Sequence, residues 1–189
     1  GLQMLLYLFT LKEEGRALFG GQEIVPAGVL YTPAREPMLR CARDTAPEKI
    51  EKARKKELRR SGMVLEDPAV LQAMEHSALT SPCYLPIAVK KDGAVTGSLA
   101  SAEQLGKLSK YVNRLLHEIT QEVFAGNIDA DPYARTPQLS ACTYCEFASA
   151  CHFENGCGSD RMEYIKATKN DEFWQHIDEV NGKEARSDG

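Results

Sequence analysis

Near its C-terminal end the chain carries Cys142, Cys145 and Cys151 in the stretch Ala141-Cys-Thr-Tyr-Cys-Glu-Phe-Ala-Ser-Ala-Cys151, a C-x2-C-x5-C spacing. Two thiolates three residues apart can hold one metal ion from a single tight turn, and a third six residues further on can return to the same centre. In a chain without secretory features this spacing points to a metal or iron–sulfur site rather than to disulfides. Sulfur ligation suits zinc and Fe–S centres alike, so the ligand type does not separate them. A fourth ligand is required. It is either Cys157, which extends the spacing to C-x2-C-x5-C-x5-C, or a cysteine from elsewhere. His152 directly follows Cys151 and reads as pointing away from the site. The competing reading is that these are free structural thiols, since a C-x2-C pair alone is a weak signal. Cys41 and Cys83 stand alone and read as buried small hydrophobes.

The 189 residues are enough for one domain with a core, and 43% hydrophobic with 26% charged residues is ordinary for a globular protein. A net charge of −4 excludes a polycation that binds nucleic acid indiscriminately. The first ten residues are apolar, but Lys12-Glu13-Glu14 ends the run too early to span a bilayer. A basic flank and a small-residue cleavage site are also missing, so the expected location is the cytoplasm. The chain opens inside a helix without an initiator methionine, and it reads as a piece of a longer protein.

Local patterns predict a mixed α/β chain with more helix than strand. A helix over residues 2–19, apolar on most sides, should stop at Gly20-Gly21. Ile24 to Tyr31 reads as a strand in which Pro26 delays pairing or marks an edge. After a loop over residues 32–46, a charged helix runs from Pro47 to Arg60 and ends at Gly62. Asp67 caps a helix from Pro68 to His76, with Val70, Leu71 and Met74 on one face. Segments 84–89 and 94–98 flank Lys90-Lys-Asp-Gly93 as a hairpin. Ser101-Ala-Glu-Gln104 is a capping box that opens a helix to Phe124, with a stripe of Leu105, Leu108, Val112, Leu115, Ile119 and Val123. Residues 128–139 read as a connector. The signal weakens after Gly158, although Phe173 and Trp174 are candidates to dock.

Few motifs carry chemistry on their own. From Lys49 to Arg60 there are seven basic residues; less Glu51 and Glu57, they leave a net charge of +5. Such a run is ordinarily a solvated face with i,i+4 pairs, here Glu51 with Lys55. It also suits phosphate contact, with Lys52, Arg54, Lys55, Lys56, Arg59 and Arg60 as the DNA-binding candidates. Gln3 and Tyr7, four apart, share a helix face, which alone means little. No Walker A loop, Ser/His/Asp set or Gly-rich dinucleotide loop is present, and no D-x-K or E-x-K sits in a strand–turn setting.

Taken in order, several segments resemble a known family. Gly1-Leu-Gln-Met-Leu-Leu-Tyr-Leu is similar to the Q-x3-Y motif of RecB-type nucleases. Pro26-Ala-Gly-Val-Leu-Tyr-Thr-Pro-Ala-Arg35, Leu58-Arg-Arg-Ser-Gly-Met-Val-Leu-Glu-Asp67 and Leu85-Pro-Ile-Ala-Val-Lys-Lys-Asp-Gly93 also fit, as do Ala100-Ser-Ala-Glu-Gln-Leu105 and the C-x2-C-x5-C. Over about residues 1–155 they resemble the C-terminal nuclease region of the AddB-type (RexB-like) subunits of bacterial ATP-dependent helicase–nucleases. The resemblance implies a PD-(D/E)XK, restriction-endonuclease-like fold, here its C-terminal part and incomplete on its N-terminal side. It implies Mg2+-dependent exonuclease action on the 5′-terminated strand during double-strand-break repair. It implies an AddA-type helicase–nuclease subunit and DNA as partners.

The resemblance also implies a [4Fe–4S] cluster held by Cys142, Cys145, Cys151 and a fourth cysteine far upstream, with Cys157 outside the family pattern. The metal-binding acids and the catalytic lysine are expected upstream of Gly1, leaving Gln3 and Tyr7 in a supporting role and the piece itself inactive. The expected layout is a nuclease-domain part over 1–158, its cysteine segment over 139–158, and a polar tail over 159–189. An unpaired sheet edge makes self-association an expectation as well. Two other readings stay open: a self-contained four-cysteine zinc or Fe–S module that binds DNA or protein, and a metal-free interaction domain.

Overall fold

A computed structural model describes residues 2–187, with side chains through residue 182. Its backbone divides into two compact units, with the boundary between Val112 and Asn113.

In the first unit α1 (Leu2–Leu18) ends as the glycines require. Gly20 and Gly21 take positive φ, and the Gly21 N–H donates back to the Arg16 carbonyl at 2.8 Å. Pairing of β1 (Gly28–Tyr31) begins only after Pro26. It runs antiparallel to β2 (Ser61–Leu65), with Val29 opposite Met63 and Leu30 opposite Gly62. Between them lies α2 (Pro47–Glu57), which stops three residues short of the expected Arg60. Gly62 is therefore not a helix stop but a strand residue. Its φ of +130° brings the backbones so close that a Cβ would sit 2.0 Å from the Val29 carbonyl oxygen.

The N-terminus of α3 (Pro68–Met74) is capped as expected: Asp67 Oδ1 accepts from the Ala69 and Val70 N–H groups at 2.8 and 3.0 Å. The hairpin pairs β3 (Ile87–Val89) with β4 (Val95–Gly97) around Gly93. β5 (Leu99–Ala100) then pairs parallel to β2, giving the sheet order β1-β2-β5. The core gathers Val64, Leu71, Ala78, Leu85 and Ile87, with Leu30, Met74, Val95 and Leu99 packed against it.

The boundary between the units falls inside α4 (Ala102–Ala125). Its capping box forms in both directions. Ser101 Oγ accepts from the Gln104 N–H at 3.1 Å, and Gln104 Oε1 accepts from the Ser101 N–H at 2.9 Å. The apolar stripe is buried only at Leu105, Leu108 and Val112; Ile119 and Val123 are exposed, because burial follows neighbours and not periodicity alone.

In the second unit the expected connector contains β6 (Tyr133–Thr136). It pairs antiparallel with β7 (Leu139–Ser140) and parallel with β8 (Glu163–Tyr164). Pro132 and Pro137 and the shortness of the strand hide any period-2 pattern there. α5 (Ala148–Cys151) is a single turn. The stretch after Gly158 holds β8 and α6 (Asn170–Ser187), in which Trp174 and Ile177 are buried while Phe173 meets Trp174 edge-on and stays half-open. Among the described residues no helix is long and apolar enough to cross a membrane.

Candidate nuclease and nucleic-acid sites

Gln3 and Tyr7 lie one turn apart on α1, and this brings them into contact. Gln3 Nε2 donates to the Tyr7 hydroxyl oxygen at 2.6 Å. The phenol thus accepts from the amide and keeps its own proton to offer to another acceptor. Both residues are exposed, so the pair presents itself to solvent rather than building the core.

The basic helix forms one wall of a cleft of about 910 Å³. α2 contributes Lys49, Lys52, Ala53, Lys55 and Lys56, and Arg59 follows just after the helix. The facing lip is Ser77, Ser81, Pro82 and Cys83. α2 buries none of its residues, so hydrophobic burial does not hold it. Polar ties do. Arg54 pairs with Glu36 at 3.3 Å, and the Arg60 N–H donates to the Tyr84 carbonyl at 2.8 Å. Arg59 Nε donates to the Leu85 carbonyl at 2.8 Å and its Nη2 donates to the Ile87 carbonyl. Of the six basic candidates, Arg54 and Arg59 are therefore engaged within the fold, and Lys55 leans toward Glu51 at 4.0 Å.

Glu75, which carried no local sequence signal, anchors the facing lip. Its carboxylate accepts from the Cys83 N–H at 2.5 Å, the Tyr84 N–H at 3.1 Å and the Leu85 N–H at 3.0 Å. Burial alone would raise this carboxyl group's pKa. The N–H groups of Cys83, Leu85 and Tyr84 and the Ser77 hydroxyl outweigh burial and hold it below the usual glutamate value. The partners lie eight to ten residues away in sequence, beyond any local motif. Segment 83–87 is thus gripped twice, by Glu75 through its N–H groups and by Arg59 through its carbonyls. Lys49 was also missed, although it lies three residues before Lys52 on the same helical face.

The cysteine segment lies in the second unit. Cys142 and Cys145 share one turn, closed by the Cys145 N–H donating to the Cys142 carbonyl at 3.2 Å. Cys151 ends α5, and His152 leaves it in the left-handed conformation, φ 52°. Cys157 sits in a loop where Asp160 Oδ2 accepts from the Glu154 N–H at 3.0 Å. All four thiols are at least partly accessible. Soft sulfur donors suit a cluster or zinc. Among the described residues, however, no three His, Cys, Asp or Glu side chains converge as a metal site needs. Cys41 and Cys83 are not buried as expected. Cys41 is exposed in the loop before α2, and Cys83 is half-buried on the lip of the basic cleft.

Comparison with known proteins places these features in a family. The family model described as the PD-(D/E)XK nuclease superfamily matches residues 1–152, from the Gln3–Tyr7 helix past Cys151 and short of Cys157. A protein of Acetivibrio thermocellus, named as the B-type subunit of an ATP-dependent helicase/deoxyribonuclease, is 33% identical over 92% of this chain and 15% of its own length. Proteins with the same name from Ruminiclostridium cellulolyticum and Thermoanaerobacter sp. strain X514 are each 30% identical, over 97% and 100% of this chain. The chain spans 16% of the length of these last two relatives. With four-fifths of its length inside the family match, the chain belongs to the PD-(D/E)XK nuclease superfamily.

Proposed function

We propose that the chain serves as the C-terminal nuclease portion of a B-type helicase–deoxyribonuclease subunit that acts at DNA double-strand breaks for recombinational repair. The observation that carries the reading is the family match over residues 1–152, which includes the Gln3–Tyr7 pair and Cys142, Cys145 and Cys151. The names of the relatives support the helicase–nuclease context. In this reading residues 1–158 belong to the nuclease domain, residues 159–189 extend it, and an AddA-type subunit and DNA are its partners in the cytoplasm. Hydrolysis of the 5′-terminated strand needs Mg2+ held by carboxylates, and in this reading none of the chain's own carboxylates takes that role. The chain's own contribution is positional. The Tyr7 hydroxyl, held by Gln3 Nε2, offers a proton to a neighbouring acceptor beside the scissile strand.

The cluster belongs to the same reading. Cys142, Cys145 and Cys151 would hold a [4Fe–4S] group that ties the second unit together, with the fourth thiolate coming from another segment and Cys157 as the self-contained alternative. The soft donors and the turn shared by two of them support this assignment.

The test is strand cleavage by the intact helicase–nuclease in Mg2+ with Gln3→Ala and Tyr7→Phe. Cleavage should fall at least about tenfold while DNA binding holds, because geometry and not affinity is lost. Undiminished cleavage in both variants would remove the pair from the nuclease site. The isolated chain should not cut DNA, and Mg2+-dependent cutting by it would overturn the proposed division of labour. Iron and sulfide in the anaerobically purified intact protein should drop on Cys145→Ser, and retention of both would reject the cysteine assignment.

A further inference from the structure

Of the five α2 residues that line the cleft, Lys49, Lys52, Ala53 and Lys56 occupy positions i, i+3, i+4 and i+7, and Lys55, paired with Glu51, lies beside them. These are the positions an ordinary surface helix gives to its apolar, core-facing stripe. Here they carry three lysines around one alanine, and the helix buries no residue at all. The helix buries no residue yet is tied down by Arg54 and, just past its end, by Arg59 and the backbone of Arg60. Among the described residues, the cleft is lined by five cations and no carboxylate. In a chain of net charge −4, that concentrates positive charge at one place. The facing lip offers the small hydroxyl residues Ser77 and Ser81, and Glu75 fixes its backbone.

We propose that this cleft is a docking site for the sugar–phosphate backbone of duplex DNA, used for sequence-independent holding of the substrate and separate from the Gln3–Tyr7 pair. Lys49, Lys52 and Lys56 are the phosphate-neutralising residues. Arg59 and Glu75 are positioning residues, because their side chains are committed to the backbone of 85–87 and 83–85. Among the described residues no aromatic side chain lines the cleft, so they offer no stacking platform of the kind that holds unpaired bases. Nor do they line it with the Asn and Gln side chains that read adenine edges. Phosphate contact alone positions a duplex without reading it. The choice of DNA among polyanions rests on the nuclease reading above. The two can fail separately, since cleavage tests the Gln3–Tyr7 pair and binding without Mg2+ tests the cleft.

The experiment is fluorescence anisotropy of this chain with a labelled random-sequence DNA duplex of about 25 base pairs, long enough to exceed a single phosphate-contact footprint. Salt is varied from about 50 to about 200 mM, the range over which phosphate contacts are lost. The triple variant Lys49→Gln/Lys52→Gln/Lys56→Gln is compared with Lys90→Gln/Lys91→Gln/Lys166→Gln, which removes the same charge from sites elsewhere. Each phosphate contact contributes about 0.9 to the slope of log affinity against log salt. The cleft variant should therefore lower the slope by about 2.7 and the affinity near 0.15 M salt by roughly fivefold per lysine. The control triple should change the slope by less than about 1. Equal losses in both triples would overturn the site. Tighter binding of single-stranded DNA, or preference for an RNA duplex of the same length, would overturn the ligand assigned to it. Ser81→Glu leaves α2 untouched and puts a carboxylate into the cleft from the other side. It should weaken duplex binding too, and unchanged binding in a folded Ser81→Glu protein would count against the cleft even if the triple variant misfolds.

Discussion

The two units of this chain are ordered by different means. In the first, strands far apart in sequence meet over a continuous apolar core: Val64, Ala78 and Leu85 have no exposed surface, and Leu71 and Ile87 almost none. In the second, the strands β7 and β8 are two residues long, and turns and loop hydrogen bonds carry much of the order. Its buried set is smaller, Ala134, Trp174 and Ile177, and several large side chains lie open: Ile128 is 93% exposed, Tyr144 94% and Phe147 73%. Small units with little core are ordinarily secured by cross-links, metals or partners. The thiolate-rich segment lies in the second unit. A cluster joining Cys142, Cys145 and Cys151 would supply the cohesion that burial supplies elsewhere.

The contrast can be broken most directly by truncation. Leu71→Ala and Ile87→Ala should each destabilise the first unit by about 2–5 kcal/mol in urea unfolding, because each leaves a cavity in a closed core. Tyr144→Ala and Phe147→Ala should stay within about 0.5 kcal/mol in the same assay, since neither side chain is packed. A large loss at Phe147 would mean that its ring packs with the buried residues of the second unit. Next in size is Gly62→Ala. It places a Cβ against the Val29 carbonyl and should cost more than about 2 kcal/mol by forcing the β1–β2 pair apart. Gly158→Ala, at φ +60° with open space around it, should cost about 1 kcal/mol, the ordinary left-handed penalty, read from thermal unfolding.

Smaller effects sharpen the same comparison. Asp67→Ala and Ser101→Ala each remove an N-cap of the first unit and should cost about 1 kcal/mol by denaturant titration. Glu75 adds a pH dependence. Its folded-state pKa lies below the usual value, so its stabilisation is fully present above the unfolded-state pKa and is lost as pH falls through the folded-state value. The first unit should therefore lose stability on acidification below the ordinary glutamate range. Glu75→Gln should flatten that limb by about 1 kcal/mol or less, the group being partly solvated. An unchanged acid limb in Glu75→Gln would assign the loss to other carboxylates. Last, Glu51→Gln should shift stability by no more than about 0.5 kcal/mol, since its pair with Lys55 is long and exposed.

What the amino-acid sequence determined by itself was local. The Asp67 cap, the Ser101–Gln104 box, the Gly20-Gly21 stop, the hairpin around Gly93 and the delay of β1 past Pro26 all involve partners a few residues apart, and each formed as read. The Gln3–Tyr7 spacing was legible for the same reason, and so were the family resemblance and the basic character of α2. Only the tertiary structure decided what those local pieces face. Gly62 reads as a helix stop until β1 is laid against it. Ile119 and Val123 continue the stripe of Leu105 in sequence, but both are exposed. Arg59 reads as part of a basic face and Glu75 carries no signal until the fold brings segment 83–87 to both. Lys49, Lys52 and Lys56 became one wall of a cleft only once Ser77–Cys83 stood opposite. Hydrogen-bond caps and turns act over a few residues, whereas burial and charge convergence depend on which distant segments the fold brings together.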